Sequence, residues 1–184
     1  MCQIDAAAKE AAVARFLEEF PRAPRAGRAH PALRGCEDVA WTEFPGCPAA
    51  VPALLRALLD PAAAPEAERV LGNVLMDGVF HMGPAMPAAL PFLLRLAAGP
   101  KEPARTGLVE LLLVVAEFSL PVDGGGERAV RVFGSDRDHP ERAQCRAVFA
   151  DHADLVHGLL DGRTLPEGFL GPDERASLLR AATP

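Results

Sequence analysis

A histidine inside a short His-x-Gly element is the side chain best suited to acid–base chemistry. His81 begins the element His81-Met82-Gly83, and Asp77 lies shortly before it. An imidazole beside a carboxylate can move a proton or bind a ligand near neutral pH. In the structural alternative, His81 hydrogen-bonds the backbone of a turn between two helices and sets the angle between them. The sequence leaves both roles open.

Two polar stripes at helical spacing suggest a binding surface. The first consists of Glu66, Arg69, Asn73 and Asp77, and the second of Glu110 and Glu117 on an otherwise apolar segment. We expect both stripes to line one groove, in which carboxylates hold the Arg69 guanidinium as a fixed hydrogen-bond donor. An ordinary solvated helix face is the alternative. The predicted binding residues are Arg69, Asn73, Asp77, His81, Glu110 and Glu117.

Other reactive residue types lack a spacing that would support catalysis. His152 and His157 stand among aspartates, as in some metal sites. On one helix, however, their side chains would point about 140° apart, so they could not share an ion without outside ligands. Cys36 and Cys47 have no accompanying pattern of a cysteine nucleophile, so we expect buried, apolar thiols. We therefore predict no catalytic residue, no metal site and no cofactor.

The charge balance restricts the classes of partner. The formal net charge is −6, with 25 acidic and 19 basic residues. Because gripping nucleic acid requires clustered cations, we expect no nucleic-acid partner, and an anionic membrane would also repel the chain. The longest apolar stretch, residues 108–118, is interrupted by Glu110 and Glu117 and is too short to span a bilayer. Four scattered cysteines and the absence of an apolar leader favour a cytoplasmic protein with reduced thiols.

The elements that would position these residues are helical. Hydrophobic residues make up 49% of the 184-residue chain, but aromatic residues only 5%, and tyrosine is absent. A core of leucine, valine and alanine suits closely packed helices better than a sheet. The chain length favours a single domain.

Two near copies reveal the organisation of these helices. Residues 48–61 and 87–100 share most positions, and each copy precedes a return helix, predicted over 65–77 and 103–118. A fainter third copy lies in a predicted helix over 141–162, followed by a return helix over 172–182. A helical-hairpin unit of about 40 residues is typical of solenoids. We place the repeats at about 47–78, 85–119 and 141–184, after a capping helix over 4–20.

The repeat also predicts the core. The apolar stripes comprise Val51, Leu54, Leu55, Leu58, Leu90, Leu93, Leu94, Leu111, Leu112 and Val115. Pro52 and Pro91 occupy equivalent places, either as first helical residues or as interior kinks. Between 121 and 140 helical regularity is lost, and Arg128 to Phe133 is either a helical turn or an extended piece. Trp41 and Phe44 are expected to reach the core from a short segment upstream.

Several short motifs resemble those of HEAT repeats. Gly72-Asn73, His81-Met82-Gly83 and Pro91-Phe92-Leu93-Leu94, with Trp41 upstream, are similar to a set of small HEAT-like repeat proteins common in actinobacteria. Met82 and Met86 depart from that pattern. The resemblance implies a HEAT-like fold. HEAT-like arrays in general act as protein-binding scaffolds, and a few act as DNA glycosylases.

These observations predict an all-α, HEAT-like solenoid that acts as a non-catalytic binding module. Its role would be accessory, regulatory or of the immunity type, with a protein or peptide held in a polar concave groove. The alternative is a small-molecule-binding protein or an atypical enzyme of specialised metabolism, with an apolar cavity near His81 and the carboxylates. A HEAT-like DNA glycosylase is disfavoured, because the stripes are acidic where that activity requires a basic face.

Overall fold

The computed structural model describes residues 5–25, 27, 29–78, 80–161, 165–166 and 168–183. Within these residues the chain is all-helical, with nine α-helices and no β-strand. The helices are α1 (Ala6–Glu19), α2 (Val51–Ala57), α3 (Ala64–Leu75), α4 (Met86–Ala98), α5 (Arg105–Phe118), α6 (Glu127–Phe133), α7 (Glu141–Asp151), α8 (Ala153–Leu160) and α9 (Pro172–Ala181). The predicted all-α class is confirmed for the described residues.

The contacts between helices show which segments are neighbours. Helix α3 contacts α1, α2 and α5, while α5 contacts α4, α7 and α9. Helix α4 contacts α7 and α8 on its other sides. The pairs α2–α3 and α4–α5 are the two hairpins predicted from the near copies. The HEAT-like solenoid arrangement remains a prediction.

The core is one apolar cluster that runs from α1 to α9. Nine of the ten predicted core residues are at most 1% exposed: Val51, Leu54, Leu55, Leu58, Leu90, Leu93, Leu94, Leu112 and Val115. Leu111 is only partly buried and packs at the edge of the cluster. Helix α5 is apolar on nearly all sides, so its sequence pattern did not distinguish the buried face from the edge. Trp41 is also buried, and its Nε1 donates to the Cys36 carbonyl over 2.8 Å.

The two near copies form helices of different lengths, 7 residues in α2 and 13 in α4. In α2, Pro52 lies in the first turn, where its missing N–H has no helical partner to lose. In α4 the helix begins at Met86, Pro87 takes that early position, and Pro91 lies inside the helix. Pro52 therefore lies among the first helical residues, whereas Pro91 lies in a helix interior. Local sequence similarity did not determine where the helix begins.

The helix predicted over 141–162 is two helices. Helix α7 ends at Asp151 and α8 begins at Ala153, with His152 between them at φ −117° and ψ 26°. The Nδ1 of His152 lies 2.9 Å from the Val148 carbonyl oxygen. A side chain that hydrogen-bonds nearby backbone competes with the regular helical pattern, which accounts for a break at this position.

The segment predicted to be irregular forms a closed loop around α6, here called the α6 excursion (residues 122–136). The Asp136 carboxylate accepts hydrogen bonds from the Val122 and Asp123 amides over 3.0–3.1 Å. Asp123 accepts in return from the Asp136 amide at 3.0 Å. Burial raises the pKa of Asp136, but these amides together with Arg142 outweigh it and hold the pKa below its ordinary value. The ends of the excursion are thus fastened to each other.

Candidate functional site

His81 lies in a tight turn between α3 and α4. The Asp77 amide donates to the His81 carbonyl at 2.9 Å, and the Gly83 amide donates to the Leu75 carbonyl at 2.7 Å. A Cβ on Gly83 would stand 2.9 Å from that same Leu75 oxygen, so the close approach requires glycine here. The main chain of His81 and Gly83 therefore closes this turn by hydrogen bonds, which is the structural role considered as the alternative to ligand binding.

Asp77 is engaged by a buried lysine of α1. Lys9 is 3% exposed, and its Nζ lies 2.6 Å from Asp77 Oδ1 and 2.9 Å from the Val74 carbonyl oxygen. This ion pair fastens α1 to the end of α3. Lys9 was not among the predicted residues, although a signal was present: Lys9 shares a helix face with Val13 and Phe16, which are both buried.

The His81 imidazole lies against a second imidazole. The His81 and His139 ring centroids are 4.8 Å apart, with the planes tilted by 35°. His139 Nδ1 lies 2.8 Å from Glu141 Oε1. Beside them Arg142, 4% exposed, donates to the Gly134 and Phe133 carbonyls at the end of α6. His139 and Arg142 were not predicted, because no local sequence pattern connects them to His81.

This neighbourhood favours the neutral imidazole. Burial lowers the pKa of His81, and the charges of His139 and Arg142 lower it further. A hydrogen bond to the Phe133 carbonyl and the Glu141 charge act in the opposite direction but do not prevail. His81 therefore has a pKa below its ordinary value and is uncharged at neutral pH.

Acidification should destabilise the fold through His81. The unfolded chain takes up a proton near the ordinary pKa of about 6.5, whereas the folded chain does so only at lower pH. The His81 contribution to stability is therefore present above pH ~6.5 and is lost as the pH falls through the folded pKa. Unfolding by urea at several pH values should show a shallower decline below that point for His81→Gln. An NMR titration that places the His81 pKa at or above about 6.5 would contradict this.

Arg69 pairs with its own helix rather than with α5. Its Nε and Nη2 donate to the two Glu66 carboxylate oxygens over 2.8 and 2.6 Å, and the Arg69 side chain is 58% exposed. The hydrogen bond from Arg69 lowers the pKa of Glu66. Asn73 is half-buried one turn further along α3. A carboxylate does hold the Arg69 fork, as expected, but it is Glu66 and not Glu110 or Glu117.

The two glutamates of α5 have different neighbours. Glu117 accepts a hydrogen bond from the Ser177 hydroxyl at 2.9 Å, and that hydroxyl accepts from Arg180 Nη2 at 2.8 Å. Glu110 is exposed. The pKa of Glu68 is raised by burial and then by the negative charge of Glu110. The described partner of Glu117 is thus on α9, a helix that the predicted groove did not include.

A cavity of about 470 Å³ opens between α5 and α9, here called the α5–α9 groove. It is lined by Leu113, Val114, Glu117, Asp173, Glu174, Ser177 and Arg180. Of the six predicted binding residues, only Glu117 lines it. The volume falls within the range of about 300–1,000 Å³ that is usual for ligand sites. This groove lies between α5 and α9, whereas the stripes predicted a groove between α3 and α5.

A smaller cavity of about 210 Å³ lies under the α6 excursion, here called the Phe80 cavity. The Phe80 ring is 6.4 Å from the Phe118 ring and 5.7 Å from the Phe133 ring, edge-on to both. Phe80 is 46% exposed, and Arg142 also lines the cavity. Glu117 lines the cavity as well, and Arg142 is paired with Asp136, so the three aromatic rings are the feature that would accommodate a flat ligand.

The described thiols are buried and hard to ionise. Cys36, Cys47 and Cys145 are free and buried. Burial raises the pKa of Cys47 to about 11 and that of Cys145 to about 12. Because the thiolate is the nucleophile, neither sulfur is activated for attack at neutral pH. Cys2 lies outside the described residues.

Three further observations bear on the kind of site. His157 is exposed on α8, and among the described residues no three His, Cys, Asp or Glu side chains are grouped to hold a metal ion. No helix in the described parts of the chain is long and apolar enough to cross a membrane. Comparisons with protein-family models, with curated proteins and with solved structures find no match for this chain. The resemblance to HEAT-like repeats therefore supports a proposal and not a family assignment.

Proposed function

We propose that the chain is a non-catalytic, HEAT-like binding module of accessory, regulatory or immunity type. It recognises a protein or peptide on the exposed face of α3, α5 and α9. The observation that carries the proposal is the α5–α9 groove, in which the exposed Val114 lies beside the hydrogen-bonded group of Glu117, Ser177 and Arg180. An apolar floor with a few fixed polar groups is the usual composition of a binding site.

The states of the reactive side chains support binding over catalysis. Cys47 and Cys145 are protonated and buried. Asp77 is neutralised by Lys9, so it is not free to act as a base beside His81. We also infer a cytoplasmic location, since the cysteines that the structure describes are free.

A partner captured from the native host by the tagged protein tests this function. We expect Val114→Ser to weaken partner binding by at least about tenfold, since Val114 is 41% exposed in the groove and has little packing to lose. Arg131→Ala on the exposed part of α6 is the control and should bind as the wild type does. Equal affinity of all three proteins would exclude the α5–α9 groove as the binding site.

Arg69→Ala and Glu110→Ala test how far the binding face extends toward α3. If the face includes both helices, each variant should lose over about 1 kcal/mol of binding free energy. Thermal stability should change little, since an exposed ion pair such as Arg69–Glu66 contributes about 0–1 kcal/mol. Calorimetric affinity and a melting curve for each variant provide both quantities. Unchanged affinity in both variants would confine the binding face to α5 and α9.

The Phe80 cavity supports a second candidate, a small-molecule-binding protein. Its three phenylalanines suit a flat, apolar ligand, although 210 Å³ is below the usual size. Native mass spectrometry of protein purified from its host should then detect a bound mass that Phe80→Ala loses. Retention of that mass by Phe80→Ala would place the ligand elsewhere.

A further inference from the structure

The α5–α9 groove carries a net negative charge. Three carboxylates line it, those of Glu117, Asp173 and Glu174, against the single guanidinium of Arg180. Asp173 and Glu174 lie in the first turn of α9, and Glu117 lies in the last turn of α5. The two helices therefore present carboxylates from both walls of the groove.

The described hydrogen bonds to these carboxylates come from uncharged donors. Glu117 accepts from the Ser177 hydroxyl, and Glu174 accepts from the Gly171 amide at 2.7 Å. Both donors are neutral, so the hydrogen bonds orient the carboxylates without neutralising them. None of the ion pairs within the described residues includes a carboxylate of the groove. Positive charge from outside the chain is what this arrangement complements.

The negative face continues along α5 beyond the groove. Glu110 lies on the same exposed face as Val114 and Glu117, at helical spacing. Its charge contributes to the raised pKa of Glu68 on α3, after burial. A chain of phosphates would therefore be repelled along this face, whereas an extended basic segment would be attracted to it.

An apolar patch lies between these charges. Val114 is 41% exposed, and the neighbouring Leu113 is partly buried against the core. A small hydrated cation would leave this patch in water. An aliphatic side chain placed over Val114 would bury it, with a gain of roughly 25 cal/mol per Å² of apolar surface.

We propose that the α5–α9 groove binds a positively charged peptide segment with an aliphatic side chain at its centre. The aliphatic side chain lies against Val114, and arginine or lysine side chains on either side pair with Glu117 and with Asp173. This inference rests on the proposed function, because it names the chemistry of the partner for the same groove.

Labelled synthetic peptides test the inference by fluorescence anisotropy. The first peptide has arginines on both sides of two leucines, the second replaces the arginines by glutamates, and the third replaces the leucines by serines. We expect the first to bind at least about tenfold tighter than either of the others, and its affinity to fall as salt is raised. Equal affinity for the first and second peptides, or no binding of the first, would overturn the inference.

A charge-matched pair of variants locates the binding. Glu117→Gln with Asp173→Asn removes two charges from the groove, and Glu18→Gln with Glu19→Gln removes two from the exposed end of α1. We expect the groove variant to lose at least about fivefold in affinity for the first peptide, and the α1 variant to bind as the wild type does. Equal losses in both variants would show attraction to the overall charge alone and would overturn the inference.

Failure of this inference can be told apart from failure of the proposed function. If Val114→Ser weakens binding of the captured partner while the basic peptide does not bind, the partner is not a basic peptide. Only the further inference is then rejected. If substitutions in the groove change binding of neither the partner nor the basic peptide, both the proposed function and the further inference are rejected.

Discussion

Leu93→Ala should destabilise the protein by about 2–5 kcal/mol. Leu93 is 0% exposed, in the middle of α4, and α4 contacts α5, α7 and α8. Truncation removes apolar atoms from the buried core and leaves a cavity. Because α4 packs against three other helices, the surrounding side chains cannot close this cavity. Urea unfolding followed by circular dichroism measures the loss in the free energy of unfolding.

The matched control for this prediction is Leu179→Ala. Leu179 is also a helical leucine, but it is 42% exposed. Its truncation should cost well under half as much as that of Leu93, because little of its surface is transferred from water on folding. A cost below about 1 kcal/mol for Leu93→Ala, or equal costs for the two variants, would mean that the core is not centred on α4.

Asp77→Ala should cost about 2–4 kcal/mol of stability, which is a large effect for a residue at a helix end. The substitution leaves the Lys9 ammonium, 3% exposed, with the Val74 carbonyl as its described acceptor. A buried charge that loses its counter-ion is penalised by the desolvation that the pair had offset. Because Asp77 itself is 26% exposed, we place the cost below that of a fully buried pair.

The double variant Lys9→Met with Asp77→Ala provides the decisive comparison. If the cost arises from a stranded charge, removal of the ammonium should restore most of the stability, since a methionine of similar length can fill the buried site. A double variant that is as unstable as Asp77→Ala, or less stable, would show that the loss has another origin. Recovery would establish Asp77 as the counter-ion of Lys9.

The contrast between Lys9 and Leu93 shows which parts of the fold a sequence pattern can predict. The apolar stripes of α2 and α4 were predicted because a helix returns to the same face every few residues, and that periodicity is local. The Lys9–Asp77 pair joins two helices far apart in the chain, so no spacing between the two residues marks it. Only the placement of Lys9 on an apolar face hinted that it is buried.

The candidate site was predicted less well than the core. The sequence identified Glu117 as a functional candidate but placed its groove beside α3, because the polar stripes of α3 and α5 were the two visible patterns. Ser177 and Arg180 of α9 complete the groove, and α9 was known only as the return helix of a faint third copy. Likewise, His81 was identified but its ring partner His139 was not.

The sequence by itself determined the helical class, the approximate position of most helices and nine buried core positions on α2, α4 and α5. These properties follow from composition and from periodicity within single segments. Only the tertiary structure decided that two similar segments form helices of 7 and 13 residues, which charges pair, and where the groove opens. Those outcomes depend on which helices come into contact, and contact between distant segments is set by the packing of the whole core.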